Sequence, residues 1–222
     1  MTQANPTVFV VDDDNFVRAS LKRLIRLEGM GVEAFASATE FLQDARLRES
    51  ANSAPACLAP ACLVLDVRLP DLNGLDFQTE LARTGIQIPI IFITGHGDIP
   101  MSVRAMKAGA IGFLTKPFSE HDLLSSIREA IETDRVARQK RADMFGLYRR
   151  YESLTPRERE VFGHVVTGKL NKQIAFDLNI TEKTIKVHRA LVMQKMKADS
   201  LADLVRMAEK LQLTLPIPEV SA

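Results

Sequence analysis

The chain has 222 residues, of which 46% are hydrophobic and 26% charged, and its formal net charge is +1. This composition is typical of a folded globular protein, and the length suits one large or two small domains. No apolar run approaches the roughly 20 residues of a membrane span, and the N-terminus lacks a signal-peptide pattern, so we expect a cytoplasmic protein with no membrane partner.

The charges are unevenly distributed along the chain. Residues 1–118 carry 11 basic and 13 acidic side chains, residues 119–152 carry 7 of each, and residues 153–222 carry 11 basic and 8 acidic ones. A mildly basic C-terminal part permits a nucleic-acid partner without requiring one. Only Cys57 and Cys62 are present, and the four histidines are scattered, which argues against a zinc site. We expect Cys62 in a sheet core and Cys57 in a loop.

Short apolar runs alternate with helical patterns in the first part of the chain. The predicted strands are Thr7–Val11, Val32–Phe35, Cys62–Leu65, Ile88–Ile93 and Ile111–Thr115. The predicted helices are Asn15–Glu28, one opened by a capping box at Ser37, Pro100–Ala108 and one opened at Ser119. Because each strand is a continuous apolar run between helices, we expect an α/β, flavodoxin-like, doubly wound parallel sheet with the strand order 2-1-3-4-5. The long stretch 43–61 is interpreted as a surface loop without chemistry.

The second part of the chain has helical patterns throughout. Residues 132–152 are highly charged, and we interpret them as a solvated connector helix, with a contact between subunits as the alternative. A capping box at Thr155 then opens an all-α domain, whose later helices are predicted over Asn171–Leu178, Thr181–Met196 and Ser200–Leu213. The tight turn between the first two of these suggests a helix-turn-helix. We therefore predict domains over 1–131 and 153–222, joined by a linker over 132–152.

Polar side chains cluster where the predicted strands end: Asp12, Asp13 and Asp14 after the first strand, Asp66 after the third, Thr94 after the fourth and Lys116 after the fifth. Ends of parallel strands open onto one edge of the sheet, so we expect these side chains close together. Taken singly, each has a plain structural interpretation as a turn, a cap or a surface ion pair. Together, repelling carboxylates beside one lysine suit a divalent cation, Mg²⁺ or Mn²⁺, that bridges to a phosphoryl group. Asp66 is then the nucleophile, while Thr94 and Lys116 bind phosphoryl oxygens.

These residues stand in motifs that carry a family resemblance. The segments VVDDD, LVLDVRLPDLNG, FITGHGDIP and AMKAGAIGFLTKPF resemble the receiver domain of two-component response regulators, over essentially all of residues 5–130. The segments LTPREREVF and NKQIAFDLNITEKTIKVHRALVMQKM resemble the effector domain of the LuxR/NarL branch of those proteins. GHGDIPMSVRAMKAGA followed by KPF is similar, more narrowly, to FixJ-like regulators.

The resemblance implies a role for each matching residue of the receiver part. It makes Asp66 the phosphoacceptor, Asp12 and Asp13 the acidic pair that binds Mg²⁺, and the backbone carbonyl of Arg68 a further metal ligand. Thr94 becomes the switch hydroxyl and Phe113 the switch aromatic. Lys116 becomes the site lysine, with a cis bond to Pro117. Asp14 is left as a spare carboxylate outside the ligand set.

The helix predicted over Thr181–Met196 has two faces. Ile185, Val192 and Met196 form a core face. The opposite face carries short and basic side chains, which suit a DNA major groove. The resemblance assigns base contacts to Lys186, Val187 and Ala190. It assigns phosphate contacts to Asn171, Lys172, Thr181, Lys183, Thr184 and Arg189.

These expectations describe a DNA-binding transcription regulator, not an enzyme, that is controlled by phosphoryl transfer from a sensor histidine kinase to Asp66. We expect an activator that works with RNA polymerase and that forms a homodimer on phosphorylation, with Arg104 and Lys107 at the interface. A phosphatase of haloacid dehalogenase type would need a second Asp where Arg68 stands, and no phosphate-binding glycine loop supports a nucleotide site. A receiver that acts by protein contact without phosphate remains open.

Overall fold

The computed structural model describes residues 5–44, 59–95 and 99–211. The strands are β1 (Thr7–Val11), β2 (Gly31–Phe35), β3 (Ala61–Asp66), β4 (Ile90–Thr94) and β5 (Gly112–Thr115). The helices are α1 (Asn15–Leu27), α2 (Ala38–Gln43), α3 (Gly74–Arg83), α4 (Ile99–Lys107), α5 (Glu120–Glu152), α6 (Pro156–Val166), α7 (Asn171–Asp177), α8 (Glu182–Met196) and α9 (Leu201–Lys210). The chain divides into two compact units at Lys140 and Arg141. None of the helices in the described ranges combines the length and the apolar character of a membrane span.

The five described strands form one parallel sheet in the order β2-β1-β3-β4-β5. The predicted flavodoxin-like topology is therefore confirmed. The register aligns the strand ends, because Val11 pairs with Leu65, Asp66 with Ile93, and Thr94 with Thr115. The residues that follow β1, β3, β4 and β5 consequently lie at the same edge.

Alternate residues of the central strands fill two separate cores, as expected for a parallel sheet that is covered on both faces. On one face Phe9, Leu63 and Phe92 pack with residues of α2, α3 and α4. On the other face the buried Cys62 and its neighbours pack with residues of α1 and α5. Both faces of the sheet are thus sealed, which leaves its edges and loops for function.

Helix α3 and the start of β4 differ from the sequence-based prediction. Helix α3 is not among the predicted helices. Asn73 caps it by accepting a hydrogen bond from the backbone N–H of Leu75 at 2.9 Å. Strand β4 begins two residues later than predicted, since Pro89 has no N–H to donate and contributes only its carbonyl, which accepts from the N–H of Leu63.

The structure describes only the two ends of the predicted 43–61 loop. Cys57 and residues 45–58 of the predicted 43–61 loop lie outside the described residues, as do residues 96–98. The chain re-enters the sheet at Ala61, whose N–H donates to the buried carboxylate of Asp134 on α5 at 2.7 Å. Arg138 pairs with the same carboxylate. Helix α5 is therefore tied to the start of β3 beyond residue 131, and the predicted domain boundaries at 131 and 152 stay predictions.

The second unit is built from α6 to α9 and the last turns of α5. Its core holds Val161, Phe162, Ile174 and the predicted core face of α8, and it also includes Leu147 of α5. The capping box predicted at Thr155 is present, since its side chain accepts from the N–H of Glu158 while the Glu158 carboxylate accepts from the N–H of Thr155. Helices α7 and α8 are joined through Asn179, which has a φ of 51°. This gives the short turn that a helix-turn-helix requires.

Candidate functional site

The carboxyl edge of the sheet holds a lysine bridge between two buried carboxylates. The ammonium group of Lys116 donates to Asp12 Oδ2 and to Asp66 Oδ2, at 2.7 Å each. Asp12 is 0% exposed and Asp66 is 7% exposed, while the Lys116 side chain is 24% exposed. The structure therefore brings together three predicted site residues from β1, β3 and the end of β5.

Asp13 lies beside this bridge and is exposed. Oxygen atoms of Asp12, Asp13 and Asp66 all lie within 4.8 Å of one another, which is a spacing that a single cation can span. Asp14, the spare carboxylate, has a structural role, because its Oδ1 accepts from the N–H of Phe16 at 2.7 Å and caps α1. The three-carboxylate donor set fits Mg²⁺, which prefers carboxylate oxygen.

Electrostatics at this edge favour an added cation. Burial raises the pKa of Asp12, and the nearby charge of Asp66 raises it further, although hydrogen bonds from Lys116 and from the N–H of Asp14 act in the opposite direction. Burial lowers the pKa of Lys116, but the hydrogen bonds and charges of Asp12 and Asp66 outweigh it, so the net shift is upward. Lys116 is thus held as an ammonium ion, and it is the one cation placed among the three carboxyl groups of this edge within the described residues.

The loop after β3 contacts Asp66 through its backbone. The N–H of Arg68 donates to Asp66 Oδ1 at 3.0 Å, and Arg68 forms an isolated backbone bridge with Asn73. A Cβ on Gly74 would lie 2.7 Å from the carbonyl oxygen of Asp66 and 3.0 Å from the Cα of Val67. Glycine is therefore required at position 74 because α3 starts directly against the backbone of the site.

The predicted switch residues lie on the neighbouring strands β4 and β5, with Thr94 at the same edge and Phe113 two positions before the end of β5. Thr94 is the last residue of β4 and is fully buried, and its carbonyl accepts from the N–H of Lys116 at 2.7 Å. Phe113 on β5 is half-buried, and its ring packs on Phe92 with centroids 6.2 Å apart. The bond between Lys116 and Pro117 is cis, as expected.

Sequence reasoning missed one basic residue of this edge. Arg18, on the first turns of α1, donates from Nη1 to the backbone carbonyl of Asp12 at 2.6 Å. Its position, four residues after the helix cap at Asp14, is the only sequence signal for it, and that signal is weak because basic residues are common on exposed helix faces. Arg18 thus holds the turn that carries Asp12 and Asp13.

The predicted DNA-binding residues lie mostly on exposed positions of the second unit. Ile185, Val192 and Met196 are fully buried, which confirms the core face of α8. Arg189 is half-buried and donates to Asn171 Oδ1 at 3.3 Å, and the hydroxyls of Thr181 and Thr184 lie 2.9 Å apart. The exposed predicted residues are Lys172 on α7, Thr181 at the N-cap of α8, and Lys183, Lys186, Val187 and Ala190 on α8.

Arg104 and Lys107, the predicted interface residues, are both exposed on α4. Sequence reasoning did not single out the apolar residues beside them. Ile99, Val103 and Met106 are 80%, 44% and 48% exposed, and their spacing of four and three residues places them in one stripe along α4. The exposed face of α4 is therefore apolar with basic residues at its side.

Comparisons with known proteins agree with this architecture. The family model of the response regulator receiver domain matches residues 8–128, and that of the bacterial regulatory proteins of the luxR family matches residues 152–208. The chain is 52% identical over 207 residues to nodulation protein W of Bradyrhizobium diazoefficiens, covering 93% of this chain and 87% of that protein. It is 43% identical over 206 residues to the transcriptional regulatory protein FixJ of Rhizobium meliloti, covering 91% and 94%.

A solved structure is similar over nearly the whole chain. The low-resolution structure of the response regulator StyR matches with a TM-score of 0.82 and 47% identity, and the match covers 93% of this chain and 100% of that one. Both family models occur in the order in which the two compact units occur. The chain therefore belongs to the two-component response regulators that combine a receiver domain with a LuxR-type helix-turn-helix domain.

Proposed function

We propose that the chain activates transcription after its receiver domain accepts a phosphoryl group on Asp66. The observation that carries this proposal is the Lys116 bridge between Asp12 and Asp66, next to Asp13, at the carboxyl edge of a parallel sheet. The family consists of transcription regulators that are not enzymes, and the phosphatase alternative is therefore dropped.

The phosphoryl donor in this proposal is a phosphorylated histidine of a sensor kinase. A carboxylate oxygen of Asp66 bonds to phosphorus while the phosphorus–nitrogen bond breaks, and the electron pair of that bond returns to the imidazole nitrogen. Asp66 holds Lys116 on Oδ2 and the N–H of Arg68 on Oδ1, so both oxygens are oriented before the donor arrives. Lys116 then pairs with a phosphoryl oxygen, where its charge offsets part of the about −2 charge that a phosphoryl group carries at neutral pH.

We assign the metal site to Asp12, Asp13, Asp66 and the backbone carbonyl of Arg68. Mg²⁺ or Mn²⁺ bound there supplies positive charge to the phosphoryl oxygens. The buried Asp12 with its raised pKa and the exposed Asp13 give the cation one fixed and one accessible carboxylate. Arg18 keeps the Asp12 turn in place through its bond to the carbonyl.

Phosphorylation is proposed to change the face formed by α4 and β5. Thr94 donates its hydroxyl hydrogen to the phosphoryl group, and Phe113 rearranges with it. The exposed stripe of Ile99, Val103 and Met106 then pairs with that of a second copy, with Arg104 and Lys107 at its side. Val103→Asp should accept phosphate normally but remain monomeric in sedimentation, and a dimer of unchanged affinity would contradict this interface.

The dimer places two copies of α8 on two half-sites of double-stranded DNA. Lys186, Val187 and Ala190 contact bases. Asn171, Lys172, Thr181, Lys183, Thr184 and Arg189 contact phosphates. We propose that the bound dimer recruits RNA polymerase, and that the protein works in the cytoplasm because chromosomal DNA is its partner.

The phosphoacceptor is tested by labelling the full chain with acetyl phosphate and Mg²⁺. Asp66→Asn should take up no phosphate, and Asp13→Ala should need more Mg²⁺ for the same labelling. Asp14→Asn is the matched control, because Asp14 adjoins the site but caps α1. Equal labelling of the wild type and Asp66→Asn would overturn the assignment. A wild type that takes up no phosphate yet binds its operator would favour a receiver that acts by protein contact.

The DNA contacts are tested by comparing operator and scrambled DNA at several salt concentrations. Lys186→Ala should cost about 1–3 kcal/mol on the operator and less on scrambled DNA, because a base contact carries sequence information. Lys172→Ala should weaken both equally and reduce the salt slope by about one unit. An unchanged specificity ratio for Lys186→Ala would show that α8 does not read bases through Lys186.

A further inference from the structure

We infer that Asp71 is a positioning residue for the metal-binding loop, and that it acts by anchoring this loop to helix α2 through Thr39. The metal-binding loop is defined here as residues 67–73, between β3 and α3. The inference deepens the proposed function and rests on its metal site at Asp12, Asp13, Asp66 and the Arg68 carbonyl.

The anchor is a pair of hydrogen bonds to one carboxylate oxygen. The backbone N–H of Thr39 donates to Asp71 Oδ2 at 2.9 Å, and the Thr39 hydroxyl donates to the same oxygen at 2.7 Å. The two residues are 32 positions apart in the chain and belong to different βα units. The contact therefore joins two pieces of structure that no local turn connects, and an ionised acceptor makes its bonds stronger than neutral ones.

Helix α2 is a fixed point for such an anchor. Its Phe41 is fully buried and packs edge-on against Phe35 and Phe77, with ring centroids 5.4 and 5.8 Å apart. Its N-terminus is capped by Ser37, whose Oγ accepts from the N–H of Glu40, and the Glu40 carboxylate accepts from the N–H of Ala36, one residue before the position that a capping box would use. A loop tied to this helix is therefore tied to the core.

The loop needs a fixed point because it carries two groups of the site. The N–H of Arg68 orients Asp66 Oδ1, and the Arg68 carbonyl is the proposed metal ligand. The ends of the loop are held by the N–H of Val67, which donates to the carbonyl of Ile93, and by the close approach of Gly74. Leu69 and Leu72 of the loop pack partly buried against the core, whereas Arg68 and Asp71 are exposed. The Asp71–Thr39 contact therefore adds a directional polar attachment to the apolar packing of the loop.

The competing interpretation is that Asp71 only caps α2. A cap stabilises its helix but has no effect on cation affinity at a site formed by other elements. Groups that hold metal ligands in place typically change metal affinity by about 10- to 100-fold when they are removed. Because Asp71 is exposed and acts through a backbone carbonyl, we expect about tenfold, the lower end of that range.

The test is calorimetric titration of the metal-free full chain with Mg²⁺, together with hydrogen exchange of the same protein without metal. Asp71→Ala should weaken Mg²⁺ binding about tenfold. Thr39→Val should weaken it less, because the backbone N–H still donates, and Thr39→Ser, which keeps the hydroxyl, should bind Mg²⁺ as the wild type does. The double variant Asp71→Ala/Thr39→Val should bind Mg²⁺ no more weakly than Asp71→Ala alone. Exchange should become faster in loop 67–73. Glu132→Ala and Thr133→Val are the controls, since they remove an exposed carboxylate acceptor and an exposed hydroxyl donor on α5.

The outcomes distinguish failure of the anchor from failure of the metal site. If Asp13→Ala binds Mg²⁺ as tightly as the wild type, the proposed metal site is overturned. Faster hydrogen exchange in loop 67–73 of Asp71→Ala would in that case still support the anchor. Normal Mg²⁺ affinity in Asp71→Ala, with faster exchange confined to α2, overturns the inference and leaves the proposed function intact.

Discussion

Replacing Lys116 by methionine removes the only cation that the structure places between Asp12 and Asp66 within the described residues. Methionine keeps most of the length of the side chain, so the change acts mainly on charge. The two carboxylates then face each other with no ammonium group, and one of them is completely buried. We expect the metal-free receiver to lose stability at neutral pH.

The size of the loss follows from the burial of the three side chains. Removing one partner of a buried ion pair costs about 3–5 kcal/mol, because it leaves an uncompensated charge in the interior. The Lys116 side chain is 24% exposed, so water replaces part of the lost interaction, and we expect about 2–3 kcal/mol. Mg²⁺ at 100 times its dissociation constant stabilises a folded state by about 2.7 kcal/mol. At one fixed Mg²⁺ concentration the variant should gain more than the wild type, because its site lacks the competing ammonium group and should bind the cation more tightly.

The pH dependence has a defined sign. The pKa of Asp12 is raised in the folded state, so its ionised form opposes folding, and that destabilisation is fully present above the raised pKa. Without Lys116 the hydrogen bond and charge that lower this pKa are lost, and the pKa rises further. The destabilisation of Lys116→Met should consequently shrink as the pH falls through the raised pKa of Asp12 toward the value of the unfolded chain.

The assay is urea unfolding read by pulsed hydrogen exchange on peptides of β1 and β3, with and without Mg²⁺, at neutral and acidic pH. Lys22→Met on α1 is the control for loss of a lysine away from the edge. If Lys116→Met unfolds at the same urea concentration as wild type at neutral pH, or if Mg²⁺ stabilises both proteins equally, the lysine does not neutralise this cluster.

Two further predictions concern the site backbone and the second unit. Gly74→Ala should lower the free energy of unfolding by about 1–3 kcal/mol and slow phosphate uptake, because its Cβ must displace the Asp66 carbonyl. The measurement is urea unfolding, with Gly85→Ala as the control. A Cβ at position 85 meets no neighbour but the residue has a positive φ, so the comparison separates crowding from backbone strain. The fragment 141–222 should be more stable than 153–222 by about 2–4 kcal/mol, since only the longer one keeps the buried Leu147, and equal thermal midpoints would refute this.

Much of the architecture could be predicted from local patterns. Continuous apolar runs between helical segments predicted the parallel sheet, because both faces of such a sheet are buried and the strands need no polar side. The capping box at Thr155 and the buried face of α8 are predictable for a different reason, since each depends on residues that lie within two helical turns of one another. The predicted strand order then places Asp12, Asp66 and Lys116 together at the carboxyl edge of the sheet.

The sequence alone did not decide contacts between segments that are far apart. Nothing local indicates that Asp71 meets Thr39, that Ala61 meets Asp134, or that Gly74 starts a helix against the backbone of Asp66. Exposure of the α4 stripe was equally undetermined, since Val103 and Met106 resemble the core residue Ala105 until the helix is placed on the sheet. The periodicity of a sequence predicts whether a residue lies in an apolar or a polar environment. The neighbour that forms this environment is determined only when the helices and strands pack together.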